Sequence, residues 1–178
     1  AIYGAGGLGN LAVQYAAKVF NARVIAVDIN DDKLDLAKKV GAEFTVNAAK
    51  EDAAERIKEI TGIGAHAAMV TAVSKAAFNS AIDCVRAGGR VVAVGLPVET
   101  MDLSIPRTVL DGIEVVGSLV GTRQDLAEAF DFGARGIVVP VVQTRALDEV
   151  GDIFEEMHAG KIQGRMVLDM KKSCGHNH

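Results

Sequence analysis

The chain opens on a short apolar run that breaks into glycines and then into a helical pattern, Ala1-Ile2-Tyr3-Gly4-Ala5-Gly6-Gly7-Leu8-Gly9. Gly4, Gly6 and Gly9 hold the G-x-G-x-x-G spacing. The first glycine of such a turn allows the sharp reversal, the second lets backbone approach a pyrophosphate, and the third lets helix and strand pack closely. The spacing alone is a weak signal, because a Gly-rich turn without a ligand can share it. The next apolar run, Val24-Ile25-Ala26-Val27, closes on Asp28, at about the twenty-residue distance of the acid that receives a ribose 2′-hydroxyl. Strand, glycine turn, helix, strand and acid together imply a dinucleotide site.

The pattern that follows repeats. Leu8, Leu11, Ala12, Tyr15, Ala16 and Val19 recur at helical spacing, so the first helix presents its N-terminus, with its free N–H groups and positive dipole end, to the glycine turn. Strand two runs from Arg23 to Asp28. Asn30 or Asp31 caps a second helix, and Gly41 ends it. Glu43 to Val46 reads as strand three, Asp52 to Ile60 as a helix stopped by Gly62, and Ala65 to Thr71 as strand four. Ser74 caps a helix running through Val85 to the Gly88-Gly89 stop, and Arg90 to Gly95 is an apolar run of the kind that parallel sheets bury on both faces. Met101 to Ile105 reads as a short edge strand checked by Pro106, Ile113 to Leu119 as strand six, and about Gln124 to Arg135 as the closing helix. Six strands alternating with helices call for a doubly wound parallel sheet of the Rossmann kind, order 3-2-1-4-5-6. That order leaves Ile113 to Leu119 at an edge with Glu114 as its only charge, and predicts a homodimer paired through it.

After residue 136 the repeat stops. Ile137 to Val142 is strand-like but carries Pro140, a helix spans Leu147 to His158, and Arg165 to Asp169 is strand-like again. The expected organisation is a cofactor domain over 1–136, a second unit over 137–170 and a polar flexible tail over 171–178. A chain of 178 residues suits one full core with such an appendage. Its net charge of -4 opposes a phosphate-neutralising surface, so nucleic acid is not an expected partner. No apolar run is long and charge-free enough to span a bilayer. Two cysteines give no disulfide framework, and no secretory signal opens the chain, which makes the cytoplasm the expected compartment. The start inside a fingerprint strand leads us to expect a fragment of something longer.

Three other readings of the glycines differ in what they require. A mononucleotide P-loop needs Gly-Lys-Ser/Thr where Gly9-Asn10-Leu11 stands. A methyltransferase-like site usually carries an acid just before the first glycine, where Ile2 and Tyr3 stand here. An NAD-sensing module without chemistry would use the same glycines and the same acid.

Gly4-Ala5-Gly6-Gly7-Leu8-Gly9, Val27-Asp28 followed by Lys33, Gly88-Gly89-Arg90-Val91-Val92 leading into Val94-Gly95-Leu96-Pro97, Gly117-Ser118-Leu119-Val120-Gly121, and Gly160-Lys161-Ile162-Gln163-Gly164-Arg165 occur in that order. Together they resemble the medium-chain zinc-dependent alcohol dehydrogenases, especially the bacterial ethanol-type enzymes, over Ala1 to about Met170. The resemblance implies an NAD-binding domain in an enzyme that moves hydride between a primary alcohol or aldehyde and NAD, with zinc polarising the alcohol oxygen. It places Gly4, Gly6, Gly7, Leu8 and Gly9 along the pyrophosphate, and Asp28 and Lys33 at the adenosine ribose. Thr71, Val73, Val94, Leu96, Ser118 and Val120 fall around the nicotinamide half, and Arg165 reaches back to the pyrophosphate. The family's zinc ligands and proton-relay residues come from a segment preceding the fingerprint strand, so the chain is expected to hold no catalytic residue and no metal, and to be inactive alone. The resemblance also implies dimerisation through the cofactor domain.

Other polar residues have simpler readings. His66 and His158 read as surface residues and Cys84 as a small buried hydrophobe. Cys174, His176 and His178 could grip a metal, although a disordered terminus is the simpler account.

Overall fold

The computed structural model describes residues 1–172. Cys174, His176 and His178 lie outside the described residues. Six parallel strands, β1 (Ile2–Tyr3), β2 (Ile25–Asp28), β3 (Phe44–Asn47), β4 (Ala65–Val70), β5 (Val85–Ala93) and β6 (Glu114–Gly117), form a sheet in the order β3-β2-β1-β4-β5-β6. The doubly wound order expected from the alternation is the observed one. A parallel strand needs a long crossover, and helices supply it: α1 (Gly7–Gln14), α2 (Asp31–Val40), α3 (Ala53–Thr61), α4 (Lys75–Cys84), α5 (Ile105–Asp111) and then α6 (Arg123–Ala134) after the last strand.

Successive strand residues point to opposite faces, and the core divides accordingly. Ile2, Val24 and Ala26 pack with Val13 of α1 and with Leu34 and Ala37 of α2. Tyr3, Ile25, Val27 and Val46 pack on the other face with Ala53, Ala54 and Ile57 of α3 and with Phe78, Ala81 and Ile82 of α4. Cys84 belongs to this second core, its Sγ–H on Ala81 O. The helix caps follow the local chemistry. Asn30, not Asp31, caps α2, its Oδ1 accepting the N–H groups of Asp32 and Lys33, and Asp52 does the same for α3.

Local boundaries depart from the sequence reading at four places. The last five residues of the first helix, Tyr15–Val19, wind as a π-helix. Val85 does not end α4 but opens β5, where this β-branched residue pairs with Ala65 across an irregular register. Met101 to Ile105 is not an edge strand: Ser104 Oγ accepts the Arg107 N–H and Pro106 sits in the first turn of α5. A proline there gives up an N–H that has no helical partner in any case. Ile137 to Val142 is not a strand either; the ladder begins only at Val142.

That ladder is a second, two-stranded parallel sheet of β7 (Val142–Ala146) and β8 (Arg165–Asp169), Val142 facing Arg165 and Ala146 facing Asp169. A 3-10 turn over Leu147–Glu149 and helix α7 (Val150–His158) make its crossover. The unit is tied back to the large sheet through α1, described below. Among the described residues no helix is long and apolar enough to cross a membrane.

Candidate functional site

Strand β1 is two residues long, and everything at its carboxyl end is held by backbone bonds to its two neighbours. Gly4 N–H donates to Val27 O of β2 at 2.8 Å, while the N–H groups of Thr71 and Ala72, after β4, both donate to Tyr3 O. The chain turns between these anchors with Gly4 at φ +91°, and a Cβ on Gly4 would lie 2.8 Å from Ala72 N. The third fingerprint glycine is equally confined: a Cβ on Gly9 would run into Gly4 O and come within 3.1 Å of Thr71 Oγ1. The middle one is open, because a Cβ on Gly6 would meet nothing within 4 Å. The turn falls at Gly4 and the close packing at Gly9, while Gly6 is left with open space beside it.

Gly6 is the N-cap of α1, and no side chain caps that end. The first N–H groups of a helix have no intrahelical acceptor and carry the positive end of its dipole, which suits an anion. Arg165 stands over the same turn: a Cβ on Gly7 would be 2.7 Å from its Nε. Leu8, half exposed, completes the first turn.

Asp28 faces this turn from the end of β2. Its Oδ2 accepts the Ala5 N–H at 2.7 Å, and its Oδ1 accepts the N–H groups of Ile29 at 2.8 Å and Asn30 at 3.1 Å. Backbone donors therefore fix the carboxylate before any ligand arrives. It borders a groove of about 530 Å³ whose floor is Tyr3, Gly4 and Val27 and whose walls include Ala54 of α3 and Ala77 of α4. The groove lies where β1 is flanked by β2 on one side and β4 on the other, the topological switch point at which open α/β sheets bind ligands.

Lys33 is in the first turn of α2, its backbone N–H on Asn30 Oδ1 at 3.3 Å. The Asp31 carboxylate turns away to Lys50 and to the Asn47 amide, each at 2.7 Å. Thr71 spends its hydroxyl on the glycine turn, donating toward Gly4 O at 2.8 Å and Tyr3 O at 3.1 Å, so it holds the turn and does not face outward. Val73 follows β4 and Val94 follows β5, its N–H on Val70 O. Leu96 lines a smaller hollow of about 190 Å³ with Phe78 and Met101. Ser118 directly follows β6 with its N–H on Ala93 O at 2.9 Å, and Val120 sits beyond it at φ +40°. That angle is strained for a β-branched residue. Gly4 to Gly9, Asp28, Thr71 and Arg165 are thus brought together, while Val73, Leu96 and Val120 are exposed along the carboxyl ends of β4 to β6.

Two residues escaped the sequence reading. Ile29 is exposed and lines the groove next to Asp28; an apolar residue just after the acid, in a stretch that otherwise reads as a polar loop, was its only signal. Gln14, buried at the end of α1, carried none.

The sequence profile of the zinc-binding dehydrogenases matches residues 7–135, which take in α1, Asp28 and the strands from β2 through β6. The chain belongs to the zinc-binding dehydrogenase family. The alcohol dehydrogenase of Aeropyrum pernix is 33% identical and superposes with a TM-score of 0.89, over 94% of this chain and 49% of that one. Acetophenone reductase from Geotrichum candidum, solved in complex with NAD, is 29% identical with a TM-score of 0.81, over 96% and 48%. Benzyl alcohol dehydrogenase from Acinetobacter calcoaceticus is 27% identical with a TM-score of 0.85, over 94% and 48%. The chain spans about half the length of these proteins.

The described residues do not offer a zinc site. Among the described residues no three His, Cys, Asp or Glu side chains are grouped to hold a metal ion. Cys84 is buried in the core, and burial pushes its thiol pKa up, away from the thiolate that a metal takes.

Proposed function

We propose that this chain binds NAD and forms the coenzyme half of an alcohol dehydrogenase that moves hydride between a primary alcohol and its aldehyde. The observation that carries the reading is the Asp28 carboxylate, held by three backbone N–H groups beside an open Gly6 and an Arg165 guanidinium over Gly7. A dinucleotide matches that set: a diol for the carboxylate, and a pyrophosphate for the helix end and the guanidinium.

Bound NAD supplies a nicotinamide carbon that accepts hydride. The chain's own residues bind and orient it. Gly4, Gly6, Gly7, Leu8 and Gly9 shape the pyrophosphate turn. Asp28 takes the adenosine ribose hydroxyls, with Lys33 reaching them from α2. The groove walls receive the adenine beside Ile29. Thr71 keeps the turn rigid, and Val73, Val94, Leu96, Ser118 and Val120 form the side along which the nicotinamide half lies. Residues 1–136 are the coenzyme domain and 137–170 belong with the substrate-binding half of the enzyme. Zinc ligands and proton relay are contributed by that other half, so this polypeptide alone does not oxidise ethanol. It works in the cytoplasm as a homodimer paired through β6.

Calorimetric titration with NAD, run beside an ethanol oxidation assay with added zinc, tests the reading. Saturable NAD binding without turnover is the expected result. Absence of NAD binding overturns the site, and zinc-dependent turnover by this polypeptide overturns the assignment of the chemistry to another segment.

A further inference from the structure

Arg165 and the glycine turn are more than 150 residues apart in sequence, so something must hold the guanidinium where it is. The side chain that does so lies at the opposite end of α1. Gln14 is 1% exposed, and its amide is fully used. Nε2 donates to Val139 O at 2.8 Å and to Asn10 Oδ1 at 3.1 Å; Oε1 accepts the Val139 N–H at 2.9 Å and Lys18 Nζ at 3.3 Å. The side chain thus pairs with both backbone groups of Val139 as a neighbouring strand would, and the buried Asn10, one turn earlier, sets which way the amide faces.

From Val139 the restraint passes through few free torsions. Pro140 fixes its own φ. Val141 O accepts the Arg165 N–H at 2.8 Å, and Gly164, at φ +68°, lies so close that a Cβ there would strike Val141 O and come within 2.9 Å of Val141 Cβ. The next side chain is that of Arg165, resting over Gly7. Helix α1 therefore holds the 139–165 connection at its last residue and receives the guanidinium at its first, about 10 Å away by helical rise.

We propose that Gln14 is a positioning residue for the dinucleotide's pyrophosphate, acting through Val139, Val141 and the Arg165 backbone. This rests on the reading above that Arg165 meets the pyrophosphate. The Gln14 amide touches no part of the ligand, and its removal lets β7, β8 and Arg165 drift together from the turn. The effect is specific to phosphates, because Asp28 and the groove are held by β2, β4 and the helices on the opposite face of the sheet.

The test uses Gln14→Met, which keeps volume but loses every amide bond, together with Arg165→Ala and the double variant. Each is titrated with NAD and with adenosine, which has no phosphate. Gln14→Met is expected to weaken NAD about tenfold, as would the loss of one charge-assisted hydrogen bond. It should leave adenosine unchanged and add nothing to Arg165→Ala in the double variant. Gln14→Glu, which keeps an acceptor for the Val139 N–H, should fall between wild type and Gln14→Met. Unchanged NAD affinity in Gln14→Met, equal losses for NAD and adenosine, or full additivity with Arg165→Ala would each overturn the proposal. Hydrogen exchange without ligand decides the mechanical link separately. The Val139 and Arg165 amides should both exchange faster in Gln14→Met while the amides of β2 and β3 do not. Faster exchange at Val139 alone refutes the link, whether or not wild type binds NAD, whereas a wild type blind to NAD refutes the coenzyme reading itself.

Discussion

The Ala5 N–H donates to Asp28 Oδ2 at 2.7 Å, bridging the glycine turn after β1 to the end of β2. The acid is therefore preorganised by the turn it serves, and it cannot swing away from a ligand that carries extra negative charge.

Discrimination against NADP follows from that bridge. A 2′-phosphate would meet the fixed carboxylate, and no arginine stands in Ile29-Asn30-Asp31-Asp32 to offset it. NAD should bind at least about tenfold more tightly, the equivalent of one like-charge contact. Asp28→Ala should weaken NAD and narrow the difference. Equal or tighter NADP binding to wild type in parallel titrations would refute this.

The glycines of the turn should separate folding from binding. Gly9→Ala drives a methyl group into Gly4 O, so it should cost about 2 kcal/mol or more of stability. Gly6→Ala places a methyl group in open space and should leave the melting temperature within about 2 °C of wild type. It should nonetheless abolish measurable NAD binding, because the methyl group occupies the path of the pyrophosphate. Gly6→Ala binding NAD as wild type does would show that the ligand does not approach there.

Alkaline stability should report on Tyr3. Its phenol is 2% exposed and shares a 3.0 Å hydrogen bond with Ser80 Oγ. Burial first, and the neighbouring Cys84 second, push its pKa well above the ordinary 10.0. Burial likewise pushes Cys84 up from 9.0. Both folded pKa values are raised, so both contributions are complete below the unfolded values and are lost as pH rises past them. Stability should begin to fall between about pH 9 and 10, at a slope approaching about 1.4 kcal/mol per pH unit for each proton. Tyr3→Phe should cost about 1 kcal/mol at neutral pH through the lost bond to Ser80 and make the alkaline decline shallower. Chemical denaturation at several pH values measures both, and an unchanged slope would exclude Tyr3 as a source.

The edge of the large sheet carries the dimer prediction. Neighbouring N–H groups in a strand point to opposite sides, and the Ser118 N–H points to Ala93 O of β5. The Val115 N–H, an odd number of residues away, therefore points outward from β6. Glu114, the strand's only charge, is held by Arg90 of β5, with Nε at 2.6 Å. Val115→Pro removes an outward donor without removing a bond to β5, and should convert a sedimenting dimer into a folded monomer. A wild-type chain that sediments as a monomer at high concentration rules out the pairing.

Periodicity and spacing in the sequence were enough to determine the sheet order, the turn at Gly4, the close packing at Gly9 and the placing of Asp28 against that turn, because each of these is a local rule of backbone geometry repeated along the chain. Neighbouring choices depended on contacts that no local rule contains. Pro106 reads equally as the end of a strand or the start of a helix until Ser104 is seen to cap α5. Ile137 to Val142 has the composition of a strand, yet Val139 pairs with the Gln14 side chain and leaves the ladder to begin at Val142. Thr71 lies at the expected strand end, but its hydroxyl reaches the turn only because β1 and β4 are adjacent in space. Gln14 in the sequence is, with Asn10, one of two polar residues on an otherwise apolar helix. Only the return of the chain at Val139 to the end of α1 gives its amide partners, and a buried amide must find partners, so tertiary structure alone joined Gln14 to a residue 125 positions away.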